Sequence, residues 1–466
     1  MKSCRLAIYA MVVVVLAGCR ADPLASSEPW VSPRPLGATL EAHRPPPSPD
    51  DIESSPGGFD EPTGDLSLRD AMALAVARSP RLRAFAWDVR RAEARALQAG
   101  LWSNPELEGE IENFAGTDEF SGTDAAETTV SIAQTFPLGG DIDRRKALAQ
   151  AGAELAGWDY ESARIDVLTE VTKRYVSVLS AERRIEVARE ALSLAVRVQT
   201  TTQRRVDAGD ASPLEAVRAS VPVANAQVTL RRAERQLAAS RKRLAMTWGS
   251  NEPQFGSLTG SLTDLAPPPP ADQLVALLNE NPAVARWATE ISAHRAEAEL
   301  ARAEATPDLT GRLGLRYDDA DDATGLVVGL SLPLPVFDRR QGDVLAARLG
   351  AASARERQRE ATLRLESMLS VAYAQLADAY DEATAIRDVA IPPATEAFEV
   401  TRRAFENGDL SLIDLLDAQR TLFDLQTRRV DALIDYHQAA AELESLIGRR
   451  LFDLESEPKP SPENLP

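Results

Sequence analysis

Asp414 and Asp417 stand three positions apart, so on a helix their carboxylates share one face. Two kinds of chemistry follow from such a pair. Like carboxylates at close range repel, shift their protonation and draw cations. An acidic residue in the first turn of a helix also complements the helix dipole and can close a capping box. Ser411-x-x-Asp414 has the capping-box spacing, as does Ser212-x-x-Glu215. A cap therefore accounts for Asp414 and leaves Asp417 without that explanation. Gly209 and Gly408 each precede these serines and can supply the positive φ that ends one helix before the next begins.

No other residues assemble into a reactive centre. His43, His294 and His437 are scattered and have no zinc-ligand spacing. The run Asp318-Asp319-Ala320-Asp321-Asp322 is rich in oxygens but lacks the glycine and terminal glutamate of a calcium loop, and it reads as an exposed loop. There is no nucleophile elbow, phosphate loop or dinucleotide fingerprint. The chain is therefore expected not to be an enzyme and to need no cofactor or metal. A formal charge of −19 argues against nucleic acid, whose phosphates would be repelled.

Residues 1–18 read as a secretory signal: Lys2 and Arg5 give a basic start, and Leu6 to Gly18 form an apolar run too short to span a bilayer comfortably. The run ends Leu16-Ala17-Gly18-Cys19, which resembles the bacterial lipobox. That resemblance implies an acylated Cys19 as lipid anchor and mature N-terminus, and Arg20, in place of an aspartate, favours outer-membrane delivery. Cys4 leaves with the signal, so no disulfide can form within one chain. From Cys19 to Gly64 there are ten prolines and little periodicity, the pattern of an extended tether. Residues 453–466 read as a flexible tail.

The elements that must position the two acids come in duplicate. Asn104-Pro105-Glu106-Leu107 recurs as Thr306-Pro307-Asp308-Leu309, and Gly209-Asp210-x-Ser212 as Gly408-Asp409-x-Ser411. Two copies result, 65–262 and 263–452. Each holds a helix, two strands, a very long helix, a tight break and a helix back. The first long helix runs without proline from Gly140 to about Val206, a reach of ~100 Å. Its apolar residues recur at sevens, as in Leu168 and Tyr175 or Val178 and Ile185, and the return helix offers Leu416, Phe423 and Val430. Ile391-Pro392-Pro393 should bend the second long helix or break its ladder.

Strands are expected at about 105–114, 127–136, 308–317 and 325–334. Leu107 and Ile111 alternate with Glu106, Glu108, Glu110 and Glu112; Leu313 and Leu315 alternate with Arg312 and Arg316; Leu326, Val328 and Leu330 share one face. Each has the length of a tilted membrane strand. In lipid every edge must be paired, and four strands cannot close a barrel, so membrane strands would demand more than one chain.

Two runs are similar to the TolC-like outer-membrane efflux proteins: Gln134-Thr135-Phe136-Pro137-Leu138-Gly139-Gly140, and Phe405-Glu406-Asn407-Gly408-Asp409-Leu410-Ser411-Leu412-Ile413-Asp414-Leu415-Leu416-Asp417-Ala418-Gln419. With the duplication, the resemblance covers about Asp65 to Arg450. It implies a mainly α fold with a β-barrel part. Long antiparallel helical hairpins of a homotrimer would form an α-barrel tunnel, and four strands per chain a shared twelve-stranded barrel in the outer membrane. It further implies a passive exit duct for an inner-membrane efflux pump and a periplasmic adaptor, with Asp414 and Asp417 narrowing the periplasmic gate. Gly209, Asp210, Ser212, Gly408, Asp409 and Ser411 would be the tips that contact the adaptor. The Pro-Leu-Gly-Gly form leans toward the heavy-metal cation branch. The alternative is a periplasmic adaptor lipoprotein with a helical hairpin.

Overall fold

The computed structural model describes residues 31, 33–41, 43–45 and 61–451. Cys19, the signal expected at 1–18 and the tail at 453–466 lie outside the described residues, as does most of the tether.

The first repeat opens with β1 (Gly64–Leu66), α1 (Leu68–Arg78) and α2 (Pro80–Ala99). β2 (Glu106–Glu112) and β3 (Glu127–Phe136) form a hairpin, and α3 (Asp141–Asp207) follows as one helix of 67 residues, ~100 Å at the usual rise. α4 (Pro213–Ala245) runs back beside it, and β4 (Phe255–Leu258) pairs in parallel with β1, tying the end of the repeat to its start. The second repeat repeats the order: α5 (Ala271–Leu277), α6 (Pro282–Ala303), β5 (Leu309–Asp318), β6 (Ala323–Ser331), α7 (Gln341–Ala385), α8 (Ile391–Asn407) and α9 (Leu412–Ile447).

Helix packing follows the apolar seams. α3 buries Leu168, Val171, Tyr175 and Val178 against Ala75 and Val76 of α1 and against Trp248 and Phe255. A second core gathers Leu274, Leu278, Leu376, Tyr436 and Leu443. α3 also lies along α6 and α9, so the two repeats share one long spine. On α9 Leu415, Leu422 and Val430 are deeply buried, whereas Leu416 and Phe423 are only partly buried. Of the expected seam Val430 lies in the core, whereas near the tip the buried stripe runs one position earlier, through Leu415 and Leu422.

The double proline does not end the second long helix. A five-residue π-helical turn, Ile386–Ala390, leads directly into α8, where Pro392 sits in the first turn. Pro392 has no N–H and its ring crowds the carbonyl four residues back. Widening the turn moves that carbonyl away while the chain continues.

The strands form one antiparallel sheet of order β2-β3-β5-β6, and β2 and β6 are its open edges. The register places Leu107 beside Ile132, Ile132 beside Leu313 and Leu313 beside Val328 on one face. This face is apolar yet bare, with Leu107 73% exposed and Leu330 76%. The other face carries Arg312 paired to Glu108 at 2.7 Å and Arg316 paired to Glu127 at 2.6 Å. A water-soluble hairpin would cover its apolar side with a helix; this one leaves it uncovered, as a lipid-facing strand does. No described helix is long and apolar enough to cross a membrane.

The tether differs from expectation where it is described. Residues 36–39 form a turn that buries Leu36 in the first core. The proline-rich sequence has no helical or strand ladder for its backbone groups, so side chains of α3 satisfy them: Arg34 N–H donates to Glu161 at 2.6 Å, and Arg164 donates to the carbonyls of Leu36 (2.8 Å) and Arg34 (3.1 Å). Leu36 N–H donates to the Gly448 carbonyl at 2.8 Å, beyond the end of α9. The strap therefore touches both repeats.

Candidate functional site: the paired hairpin tips

The first tip forms where α3 ends. Gly209 takes a φ of +87°, and Asp210 N–H reaches back to the Arg205 carbonyl at 2.8 Å. The second tip is its counterpart: Gly408 has a φ of +89°, and Asp409 N–H donates to the Ala404 carbonyl at 2.9 Å. Both are left-handed positions at which a Cβ is strained, so glycine sets the sharpness of the two turns.

Ser411 and Asp414 make the full capping box: Asp414 N–H donates to Ser411 Oγ at 3.4 Å, and Ser411 N–H donates to Asp414 Oδ2 at 3.1 Å. The Ser411 hydroxyl adds a 2.6 Å bond to the same carboxylate oxygen. These hydrogen bonds, with the Ser411 side chain contributing most, hold the Asp414 carboxyl below the usual carboxylate range. The box expected at Ser212 is not made, and a simple N-cap takes its place. Ser212 Oγ accepts from Leu214 N–H at 3.3 Å, while Glu215 N–H goes to the Ser212 carbonyl at 2.9 Å. Pro213 occupies the first helical position there, and the hydroxyl serves the second amide instead of the third.

Asp417 is exposed, and its carboxylate has no ion pair or hydrogen bond among the described residues. Its helical spacing puts it on the same side as Asp414. The tip therefore carries one carboxylate occupied by capping and one without a side-chain partner among the described residues.

Sequence reasoning missed the residue that joins the tips. Arg205, near the end of α3, lies over the Phe405 ring at 4.8 Å and donates to the Phe405 carbonyl at 2.9 Å. Around it Leu194 and Val198 of α3, Phe398 of α8, and Leu412 and Leu415 of α9 form a small core. Only Phe405, at the head of the Phe-Glu-Asn-Gly run, hinted at this contact. Among the described residues no group of three or more histidines, cysteines and acids is placed to hold a metal ion. In the 318–322 loop the Asp318 carboxylate accepts from Ala320 N–H at 2.9 Å, shaping the turn.

Hairpins ~100 Å long, meeting at a charged tip and ending in a sheet with one apolar and one polar face, define a subunit of a membrane duct. The outer membrane efflux protein family model matches residues 71–250 and 274–449, covering both repeats. The chain belongs to that family of outer-membrane efflux channels, and the adaptor alternative finds no support. It is 32% identical over 389 residues to the cobalt-zinc-cadmium resistance protein CzcC of Cupriavidus metallidurans, covering 84% of this chain and 91% of the relative. The nickel-cobalt-cadmium resistance protein NccC of Alcaligenes xylosoxydans is 28% identical over 63% of this chain and 68% of the relative. Among solved structures, the fold is that of the outer membrane protein VceC of Vibrio cholerae (TM-score 0.68, 16% identity, 82% of this chain and 96% of the other). It is also that of CusC (TM-score 0.63, 16% identity, 88% and 99%).

Proposed function

We propose that this protein is the exit duct of a tripartite heavy-metal efflux system, passively passing cations from an inner-membrane pump and a periplasmic adaptor to the exterior. The observation that carries the reading is the four-stranded sheet with an exposed apolar face, a polar face and two open edges, continuous with the long hairpins. Three copies close the sheet into one barrel and set the hairpins around a periplasmic tunnel. Cys19 anchors each copy to the membrane through its acyl group.

The metal-resistance names of CzcC and NccC support a divalent-cation cargo. Asp414 and Asp417 ring the periplasmic entrance, where repulsion among like carboxylates opposes closure and favours cations. The turns at Gly209, Asp210 and Ser212 and at Gly408, Asp409 and Ser411 present the surface that the adaptor meets. Deleting the gene should sensitise cells to cobalt, zinc and cadmium. Equal sensitivity to organic toxicants, with no change toward metals, would reject the cation cargo and leave the duct.

A further inference from the structure

Both repeats turn from strand to long helix through a left-handed residue, Gly140 and Arg340, but the corner beside each turn is finished differently. In the first repeat Phe136 ends β3 and stands at two-residue steps from Val130 and Ile132, so it continues the bare apolar face of the sheet. Trp102, just past the end of α2, lies edge-on to it with ring centroids 6.4 Å apart at 78°, and is 59% exposed. Toward the helices, the apolar face therefore ends in an aromatic pair.

Two charges stand just beyond that pair, on α3. Lys146 lies ~9 Å along the helix from Gly140, and its stem rests against Gly100, where a Cβ would stand 3.3 Å from Lys146 Cδ and 3.7 Å from Cγ. Helical side chains lean toward the helix N-terminus, which here is the sheet end, so the ammonium leans toward the aromatic pair. Asp143 sits three positions earlier on the same face. Opposite charges at this spacing close on each other elsewhere, as Glu356 and Arg359 do at 2.9 Å. Asp143 and Lys146 do not, and neither side chain has an ion pair or hydrogen bond among the described residues. The second repeat has no such opening. By the equivalence of Gly140 and Arg340, the two charges correspond to Asp343 and Ala346. Arg340 pairs with Asp343 at 3.2 Å and with Glu304, the counterpart of Trp102, at 3.6 Å, so that corner is neutralised from within.

We propose that this corner binds a phospholipid with a primary-amine headgroup, phosphatidylethanolamine, its phosphate on the Lys146 ammonium, its own ammonium on the Asp143 carboxylate and an acyl chain along Trp102 and Phe136. The site rests on the reading of the sheet as part of a membrane barrel, and it assigns a lipid to the place where barrel and tunnel meet. The two unpaired charges select the zwitterion. An anionic headgroup leaves Asp143 facing a second negative group, and a choline headgroup has no N–H to donate to the carboxylate, so only the primary amine makes charge-assisted hydrogen bonds at both ends. Trp102 has the apolar body and polar tip that suit the edge of a bilayer. The lysine stem covers apolar surface while its ammonium reaches the phosphate layer.

The test is fluorescence quenching of the full chain reconstituted in phosphatidylcholine vesicles, into which one lipid with brominated acyl chains is mixed at a time. The Trp102 signal is the difference between the unsubstituted chain and Trp102→Phe. Brominated phosphatidylethanolamine should quench it about fivefold more effectively than brominated phosphatidylcholine at equal content. Lys146→Ala and Asp143→Asn should each bring the two lipids level, whereas Lys146→Arg should keep the preference. Equal quenching by both lipids in the unsubstituted chain would overturn the site, as would stronger quenching by brominated phosphatidylglycerol, which would leave Asp143 without a part. No quenching by any lipid would mean that protein, such as a neighbouring copy, covers the corner, and would overturn it as well. A tryptophan placed on the bare sheet face by Val328→Trp separates this from failure of the barrel reading. Its quenching by every brominated lipid alike is expected, and its protection from all of them would overturn the barrel itself.

Discussion

The guanidinium of Arg205 covers the ring of Phe405, two hundred residues along the chain, and holds that residue's carbonyl at 2.9 Å. One side chain thus ties the tip of the first hairpin to that of the second, just before the Gly408 turn. A cation over an aromatic ring with a charge-assisted hydrogen bond is worth about 1–2 kcal/mol at a half-exposed site. Arg205→Ala should therefore raise amide exchange at residues 404–411 roughly tenfold, with little change in the two upper cores. Arg205→Lys keeps the charge but not the planar stack and should fall between. Unchanged exchange at the second tip would mean that the tips are not coupled through Arg205.

The two acids of the second tip should respond differently to substitution. Asp414→Ala removes the capping box, so the start of α9 should fray, seen as lost protection at Leu412 to Leu415. Asp417→Ala removes a carboxylate with no structural partner, so protection should be unchanged while cation selectivity in planar bilayers falls. Because the folded Asp414 carboxyl titrates below its ordinary value, its contribution is complete above about pH 4 and is lost as pH falls through the lowered value. Fraying that begins well above pH 4 would point to another group.

The strap is fastened by an ion pair that is nearly inaccessible, Glu161 and Arg164 with side chains 3% and 4% exposed. Arg164→Ala leaves the Glu161 carboxylate buried without its partner and removes two bonds to the strap carbonyls. A loss of about 3–5 kcal/mol is expected, read as a lower melting temperature and earlier proteolytic cutting near residue 34. If Glu161→Gln combined with Arg164→Met restores the melting temperature but not protease resistance, the pair serves to hold the strap and not to stabilise α3.

The unequal legibility of these features has a physical origin. The strands could be read because a two-residue alternation of Leu107 and Ile111 with glutamates is a local signal. The first long helix could be read because proline is missing over its length, and the tips because glycine and serine stand where helix ends need them. Duplication reinforced each signal. The Arg205–Phe405 contact and the strap were not readable, since both rest on partners more than a hundred positions away. Leu36 looks like part of a loose tether until Arg164 and Gly448 supply its backbone partners. The π-turn at Ile386 lies between these cases. Pro392 and Pro393 announced a disturbance, but whether the chain would bend or widen depended on how α7 and α8 pack against α9.

His437 supplies a pH response away from the tips. It lies on α9 beside Tyr436, with Nε2 2.9 Å from the Leu262 carbonyl, an acceptor that requires Nε2 to carry the hydrogen. Burial lowers its pKa, partly opposed by that bond and by the charge of Asp264. The folded chain therefore favours the neutral ring, and the unfolded chain binds the proton more readily. Its contribution to stability is present above about pH 6.5, the ordinary value, and is lost as pH falls through the lowered folded value. Thermal melting should shift downward between pH 7.5 and pH 5, and the 262–266 segment should lose protection first. His437→Gln, which keeps a donor for Leu262 and cannot titrate, should flatten that pH dependence; an undiminished slope in this variant would place the response on the carboxylates instead.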